Sequence, residues 1–208
     1  DGTYGIFAST DRSLCENTDL LNYDYLASLT SKNLANILRP CNNMEIPLLN
    51  ERCYILKKTA EIMLKKFKGK LINLIEEAGE DVENLVYLIV DSFPSFDDEL
   101  CYMGKRIQFF KKAQLMASTL NYWYKKFYNK NLKGLEKLTG FADYKIPQML
   151  RAKGVLKYKE TLEQKVDSKT ELKEGSAEEI EIRAANLLAL NKIAQKLNSR
   201  FPEIQSID

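Results

Sequence analysis

Asp143 is the acid whose neighbours in the sequence raise a chemical question. It lies in "LTGFADYKIPQMLRAKGVL", residues 138–156, between Phe141 and Tyr144 and ahead of a short amphipathic run that Gly154 ends. Such an acid can cap a helix by accepting hydrogen bonds from free backbone N–H groups. It can also stabilise a positively charged transition state or orient a water molecule, because a low local dielectric strengthens its field. The pattern alone favours the cap and leaves the chemical role open.

A cluster of cations in "GKRIQFFKKAQ", residues 104–114, is the second candidate. In a helix, Lys105, Phe109 and Lys112 would fall at i, i+4 and i+7 and would share one face. Two cations beside an aromatic ring could hold a phosphate while the ring contacts a sugar or a base. The pattern alone favours the other interpretation, a solvated helix edge on which the lysine stems cover apolar surface.

Two runs of acids and one run of aromatic residues have weaker chemical interpretations. The acids could bind a divalent metal through oxygen ligands, but an acid-rich helix N-terminus explains both runs with less effort. The aromatic residues could stack on nucleic-acid bases, but packing at a helix end is preferred because no basic stripe accompanies them. These residues are Asp97, Asp98, Glu99, Glu178, Glu179, Glu181, Tyr122, Trp123 and Tyr124.

The composition excludes several classes of chemistry. Histidine is absent, which removes Ser-His and Cys-His nucleophile systems and most catalytic zinc sites. The net charge of +2 gives no overall field toward nucleic acid or a membrane, so a bound anion needs a local cluster of cations. No apolar run approaches the roughly 18 residues that cross a bilayer, and the first residues lack the pattern of a signal peptide.

The cysteines are scattered and form no closely spaced pair. A zinc site or a compact disulfide framework needs tighter spacing than this. We therefore expect reduced, buried thiols in a cytosolic protein. The four positions are Cys15, Cys41, Cys53 and Cys101.

Helices must position these candidates, since helical periodicity dominates the chain. Apolar residues recur at three-to-four spacing after Pro47 and again after Asp81, which can cap a helix. The longest helix is predicted for about residues 105–128, and Ser176 with Glu179 has capping-box spacing ahead of a final helix. The buried side of that final helix is predicted to hold Ile180, Ala184, Leu187, Ala194 and Leu197. Since no alternating strands or glycine-rich phosphate loop is found, the sequence predicts an all-α, bundle-like domain.

Five motifs occur in a fixed order along the chain: "IPLLNERCYIL", "FPSFDDE", "GKRIQFFKKAQ", "TGFADYKIPQMLRAKGVLKY" and "EEIEIRAANL". Together they resemble the queuosine salvage family of queuosine 5'-phosphate N-glycosylases. The resemblance is specific over about residues 44–197, because long motifs agree in order and spacing, and it is faint before Ile46. We therefore expect a weakly matched segment at residues 1–45 and a helical glycosylase domain at residues 46–208.

The resemblance implies an all-α protein related in architecture to the helical DNA glycosylases. It also implies hydrolysis of the N-glycosidic bond of queuosine 5'-phosphate, with release of the base queuine for reuse in tRNA modification. The key acid of the family lies in a Phe-Ala-Asp-Tyr motif. The resemblance therefore assigns catalysis to Asp143 and substrate contacts to Phe141 and Tyr144. It implies no metal and no organic cofactor.

The resemblance also defines what the acid and a phosphate holder must do. Breaking a ribosyl C–N bond builds positive charge on the sugar, so Asp143 could stabilise that charge, activate water or attack C1'. These three roles stay open. The 5'-phosphate needs a cationic holder, for which Lys105, Arg106 and Lys112 are the hypothesis. Replacing each by Ala should weaken the phosphorylated substrate far more than the free nucleoside.

Members of the family are longer at both ends, so the resemblance implies groups that this sequence lacks. Their C-terminal extension brings an acidic and an aromatic group to the base, and it would begin near "PEIQSID". Their N-terminal region supplies a histidine contact, and this sequence has no histidine. We therefore expect an incomplete pocket in a chain truncated at both ends.

Two other functions compete with the glycosylase. A helical DNA glycosylase would flip a base out of duplex DNA, which the lack of an extended basic stripe disfavours. A catalytically inactive module that binds queuine or a related nucleotide is the other alternative. For the main interpretation we expect a small-molecule nucleotide as partner, no direct nucleic acid, no membrane and a cytoplasmic location.

Overall fold

Helices account for most of the chain, which confirms the all-α prediction. The computed structural model describes residues 2–40 and 44–201. The chain divides after Glu77 into two packing units. The boundary predicted at residue 45 separates a weakly matched part of the sequence from a specifically matched one. It therefore does not describe how the chain packs.

The described residues of the first unit form five helices, and its core lies where three of them meet. They are α1 (Gly2–Cys15), α2 (Tyr23–Ala27), α3 (Ser31–Leu38), α4 (Leu49–Phe67) and α5 (Leu71–Glu77). Helix α2 packs on α4, and α3 packs on both α1 and α4. Leu34, Ile37 and Cys53 are buried in this core together with Leu29. Thr30 caps α3 by accepting a hydrogen bond from the backbone of Asn33.

The second unit holds the candidate residues. Its elements are α6 (Val82–Ser92), β1 (Glu99–Tyr102), β2 (Lys105–Gln108), α7 (Lys111–Tyr128), α8 (Lys145–Ala152), α9 (Glu160–Asp167) and α10 (Ala177–Asn198), with 3₁₀ turns at Pro94–Phe96 and Leu135–Lys137. Helix α6 packs on α7, and α10 packs on α8 and β1. Asp81 caps α6, as predicted, and Val82, Leu85 and Ile89 on that helix are fully buried.

A β-hairpin replaces the first part of the predicted long helix. Strands β1 and β2 pair antiparallel, and Met103 and Gly104 between them both have positive φ, at 48° and 75°. Two successive residues of positive φ make the tight turn that matches the twist of a hairpin, and Gly adopts this conformation without strain. Leu100, Tyr102 and Ile107 from the strands then pack on the buried cluster that contains Ile180. The helical face predicted for residues 105–112 therefore does not exist, because the helix begins only at residue 111.

The final helix begins as predicted but buries a different set of residues. Ser176 accepts a hydrogen bond from the backbone of Glu179, while the Glu179 side chain accepts one from the backbone of Gly175 rather than from Ser176. Ile180 and Ala194 are buried. Ala184 and Leu187 are only half-buried, and Leu197 is exposed.

The expectation of buried thiols holds for one cysteine of the three that the structure describes. Cys53 is buried, whereas Cys15 and Cys101 are exposed, and all three are free. Cys41 lies outside the described residues. Within residues 2–40 and 44–201, no helix combines the length and the apolar character that a membrane span requires.

Candidate active site

A cavity of about 580 Å³ opens in the second unit beside the loop that carries Asp143. Its walls come from the residues before β1, the first turn of α7, the loop before α8, residues 158–174 and one side of α10. Volumes of several hundred Å³ are typical of sites for small molecules. The charged or polar residues that line it include Asp98, Lys111, Lys112, Asp143, Tyr144 and Arg183.

Asp143 caps a helix and lines the cavity at the same time. Its Oδ1 accepts hydrogen bonds from the backbone N–H groups of Lys145, at 3.0 Å, and Ile146, at 2.9 Å. No residue in the described part of the chain donates to its Oδ2. The two uses that the sequence sets against each other are therefore compatible, because one carboxylate oxygen makes the cap and the second is left for a ligand.

The two aromatic neighbours of Asp143 are placed differently. Tyr144 lines the cavity and is 71% exposed, with the ammonium group of Lys145 5.4 Å from its ring centroid. Phe141 is half-buried and is not among the residues that line the cavity. Its backbone carbonyl accepts a hydrogen bond of 2.8 Å from the side chain of Asn186. The structure thus brings Tyr144, and not the ring of Phe141, to the cavity that Asp143 faces.

The predicted phosphate holders are separated by the hairpin. Lys112 lines the cavity, and its ammonium group donates to the backbone carbonyl of Ser95. Lys105 and Arg106 lie on β2, are exposed, and do not line the cavity. Arg106 donates to both carboxylate oxygens of Glu99, at 2.7 Å and 2.6 Å. These hydrogen bonds lower the pKa of Glu99 and raise that of Arg106.

Lys111 is a cavity residue that the sequence analysis did not select. It is the first residue of α7, it is half-buried, and it lines the cavity together with Lys112. Its backbone N–H donates to the carboxylate of Asp98 at 3.2 Å. The two adjacent lysines, Lys111 and Lys112, were the signal in the sequence. The assumption of a helix from Lys105 placed only Lys112 on the candidate face, so Lys111 was passed over.

Arg183 is the second residue that the sequence analysis missed. Its guanidinium donates to the Asp98 carboxylate at 2.6 Å and to the backbone carbonyl of Ala142 at 3.1 Å. A weaker hydrogen bond of 3.4 Å joins it to Glu179, and its Cζ lies 4.0 Å from the ring centroid of Phe109. The signal was an arginine three positions after the buried Ile180, on the side of the helix that faces the core.

The acid runs have a structural use around this arginine. Asp98, from the first run, and Glu179, from the second, are both bonded to Arg183. Among the described residues no group of three or more acids and cysteines is arranged to hold a metal ion. One acid from each run therefore forms an ion pair with the same residue, Arg183, which belongs to neither run.

Tyr158 closes another part of the cavity wall. Burial raises the pKa of its hydroxyl, and the guanidinium of Arg151 opposes this shift. The Arg151 guanidinium lies 5.1 Å from the ring centroid of Tyr158 and is itself bonded to Glu163 and Asp167. A neutral hydroxyl and an aromatic face are thus held at the edge of a cavity that also contains charged groups.

Comparison with known proteins shows similarity over nearly the whole chain. Residues 2–207 match the family model described as queuosine salvage protein. A protein of Sphaerobacter thermophilus named queuosine 5'-phosphate N-glycosylase/hydrolase is 36% identical over 203 residues, which cover 96% of this chain and 61% of the relative. The resemblance is therefore not confined to residues 44–197 and includes the N-terminal segment.

Two mammalian relatives carry the same name. The protein of Mus musculus is 31% identical over 196 residues, covering 94% of this chain and 58% of the relative. That of Bos taurus is 32% identical over 192 residues, covering 92% of this chain and 56% of the relative. The chain therefore spans less than two thirds of the length of the curated relatives it matches.

Proposed function

This chain belongs to the queuosine salvage protein family, and on that premise we propose that it hydrolyses the N-glycosidic bond of queuosine 5'-phosphate. The relatives are named for this reaction. The observation that carries the proposal is the Oδ2 atom of Asp143, which no described residue binds, beside a cavity of about 580 Å³. The product would be the base queuine, available for reuse in tRNA modification.

The geometry of Asp143 supports the chemistry of this bond cleavage. As the bond from C1' to the base nitrogen breaks, positive charge builds on the ribose, and the departing base takes a proton while the oxygen of water adds to C1'. Two backbone N–H groups hold Oδ1, so the carboxylate is fixed before the substrate arrives. A fixed anion costs no reorganisation as charge develops beside it. Oδ2 is then the atom that stabilises the sugar cation, activates water or attacks C1'.

Lys111 and Lys112 are the cations that support a 5'-phosphate site. Both lie in the first turn of α7 and line the same cavity as Asp143. Lysine holds phosphate as a compact, strongly hydrated charge. We therefore assign the phosphate to this pair, with Lys112 retained from the sequence hypothesis and Lys111 added to it. Lys105 and Arg106, which lie on the exposed hairpin, are not part of this proposal.

Incubation of the purified chain with queuosine 5'-phosphate tests the proposed function. Release of free queuine, followed by chromatography with mass detection, supports the glycosylase. Binding of the nucleotide without release supports the inactive binding module. Excision from duplex DNA with none from the nucleotide would support the DNA glycosylase. A cytoplasmic site of action and the lack of a nucleic-acid or membrane partner stay predictions.

A further inference from the structure

We propose that Arg183 is a positioning residue for Asp143, acting through the backbone of the loop between the second 3₁₀ turn and α8. As far as it concerns catalysis, this inference rests on the proposed function. Arg183 contacts neither oxygen of Asp143 in the structure. The role we assign to it is to fix where the carboxylate stands, through the backbone that carries Asp143.

The contact that carries the inference is made to the peptide bond of Asp143 itself. The Arg183 Nε–H donates at 3.1 Å to the carbonyl oxygen of Ala142, which belongs to the same peptide plane as the Asp143 nitrogen. On the other side, the Asp143 Oδ1 is held by the N–H groups of Lys145 and Ile146. Asp143 is thus held both through its own backbone and through one oxygen of its side chain.

A second side chain of the same helix holds the preceding carbonyl. Asn186 lies one turn after Arg183 on α10 and donates at 2.8 Å to the carbonyl oxygen of Phe141. Residues three apart on a helix lie on one face. Two successive carbonyl groups of the loop are therefore held by neighbouring side chains of one rigid element, which defines the path of the chain into Asp143.

The guanidinium of Arg183 is itself fixed by a largely buried ion pair, so it can hold the Ala142 carbonyl in place. The side chain of Arg183 is 13% exposed and that of its partner Asp98 is 15% exposed. The Asp98 carboxylate also accepts the backbone N–H of Lys111, at 3.2 Å. Arg183 thereby connects the loop of Asp143 with the first turn of α7, which carries Lys111 and Lys112.

Replacing Arg183 by Lys separates positioning from charge. Lysine keeps one positive charge for Asp98, but it has no Nε–H and no planar fork that reaches three acceptors at once. We expect kcat for base release to fall by roughly 10- to 100-fold, the order of loss that a displacement near 1 Å produces. KM should change by less than about 3-fold, because the groups proposed to bind the phosphate remain.

Arg12 provides a matched control in the first unit. Its guanidinium also holds backbone carbonyl groups, those of Ile37 at 2.8 Å and Arg39 at 3.0 Å. Arg12→Lys therefore makes the same chemical change at a similar clamp that lies in the unit without Asp143. We expect a comparable loss of thermal stability with kcat unchanged. Equal loss of kcat in both variants would overturn the proposal, because it would make the arginine a general support of the fold.

Amide hydrogen exchange tests the positioning without relying on activity. The N–H groups of Lys145 and Ile146 report directly on the hydrogen bonds of Asp143 Oδ1. In Arg183→Lys these two amides should exchange roughly 10-fold faster while the core amides of α6 keep their wild-type rates. Unchanged exchange at both amides would overturn the inference. If wild type released no queuine, the proposed function would fail while this measurement still decided the role of Arg183.

Asp98→Asn carries the test if Arg183→Lys does not fold. Asn keeps the shape of the acid but removes the charge that holds the guanidinium at 2.6 Å. The arginine remains, so faster exchange at Lys145 and Ile146 is still expected, to a smaller degree than in Arg183→Lys. Wild-type exchange at these amides in Asp98→Asn would then contradict the proposed chain of contacts.

Discussion

Asp81 and Asp143 make the same local structure in two places of the second unit. Asp81 Oδ1 accepts the N–H groups of Glu83, at 3.0 Å, and Asn84, at 3.1 Å. Asp143 Oδ1 accepts the corresponding N–H groups two and three residues later, at 3.0 Å and 2.9 Å. Both side chains are half-buried. Judged by the cap alone, the two acids are equivalent.

Their second oxygens meet different surroundings. Asp81 is packed against the neighbouring segment, where a Cβ added at Gly134 would lie 3.3 Å from Asp81 Oδ2. Its backbone also forms a bridge with Lys133. Asp143 lines the cavity that Lys111 also lines, and no described residue donates to its Oδ2. A cap is therefore not an alternative to a chemical role, and the space beside the second oxygen distinguishes the two acids.

Replacing each acid by Asn is the strongest way to break this comparison. Asn caps a helix about as well as Asp, so Asp143→Asn keeps the cap and removes the negative charge. We expect base release from queuosine 5'-phosphate to fall by at least about 1000-fold, with the free energy of unfolding changed by less than about 0.5 kcal/mol. Release is measured by chromatography and stability by urea unfolding.

Asp81→Asn is the matched control for that loss. It makes the same chemical change in the same kind of cap, at a residue that does not line the cavity. Base release should keep its wild-type rate, and unfolding should change as little as in Asp143→Asn. Persistent release by Asp143→Asn would make Asp143 a cap like Asp81, and the comparison would lose its functional meaning.

Replacing a lysine that lines the cavity sharpens the comparison, because it tests whether the cavity beside Asp143 binds the 5'-phosphate. Lys111→Ala removes a cation that lines the cavity, whereas Lys105→Ala removes an exposed one from the hairpin. We expect kcat/KM for queuosine 5'-phosphate to fall roughly 10- to 100-fold in Lys111→Ala. The value for the unphosphorylated nucleoside should hardly change. Lys105→Ala should match wild type on both substrates, and a phosphate-specific loss there would restore the assignment made from sequence.

Much of the fold could be predicted from the sequence because its helices have local signals. Helix α4 follows its apolar spacing, and Asp81 and Ser176 cap helices where the pattern places them. The hairpin was missed because its strands are only four residues each and are joined by Met103 and Gly104, whose turn depends on backbone conformation. Four residues are too few for alternation to compete with a helical period that continues into α7.

The site could be predicted only where a motif marked it. Asp143 was selected as the candidate acid through the Phe-Ala-Asp-Tyr resemblance, since its pattern as a cap is shared with Asp81. Arg183 was missed because its partners come from distant parts of the chain: Asp98 is 85 residues away and Ala142 is 41 residues away. Contacts of that separation are set by how α10 packs, and no local periodicity reports them.

Gly134→Ala tests whether the packing around Asp81 Oδ2 affects only the stability of the protein and not base release. Gly134 has φ of +74°, which costs an L-residue about 1–2 kcal/mol. Its new Cβ would also press on the second oxygen of Asp81. We expect thermal unfolding to move down by roughly 2–8 °C with base release per folded molecule unchanged. Gly79→Ala, with φ of +67° and nothing within 4 Å of the added Cβ, measures the backbone cost alone and should lose less.

The smallest effect is expected from Glu80, the acid beside the Asp81 cap. Its carboxylate lies 2.7 Å from the Lys130 ammonium group, and this hydrogen bond lowers the pKa of Glu80 from its ordinary value of 4.5. Because the pKa is lowered in the folded state, the ion pair stabilises the protein above that ordinary value, and the contribution is lost as pH falls through the folded pKa.

Glu80→Gln should therefore unfold at a slightly lower temperature than wild type at neutral pH, and the two proteins should converge in acid as the pH falls below the lowered folded-state pKa of Glu80. Melting curves across this range measure the difference. Since Glu80 pairs with Lys130 at the capped end of α6 and does not line the cavity, the pH course of base release should be that of wild type. A changed pH dependence of base release would mean that the charge of Glu80, beside Asp81, influences catalysis at Asp143. The two acids could then no longer be treated as independent.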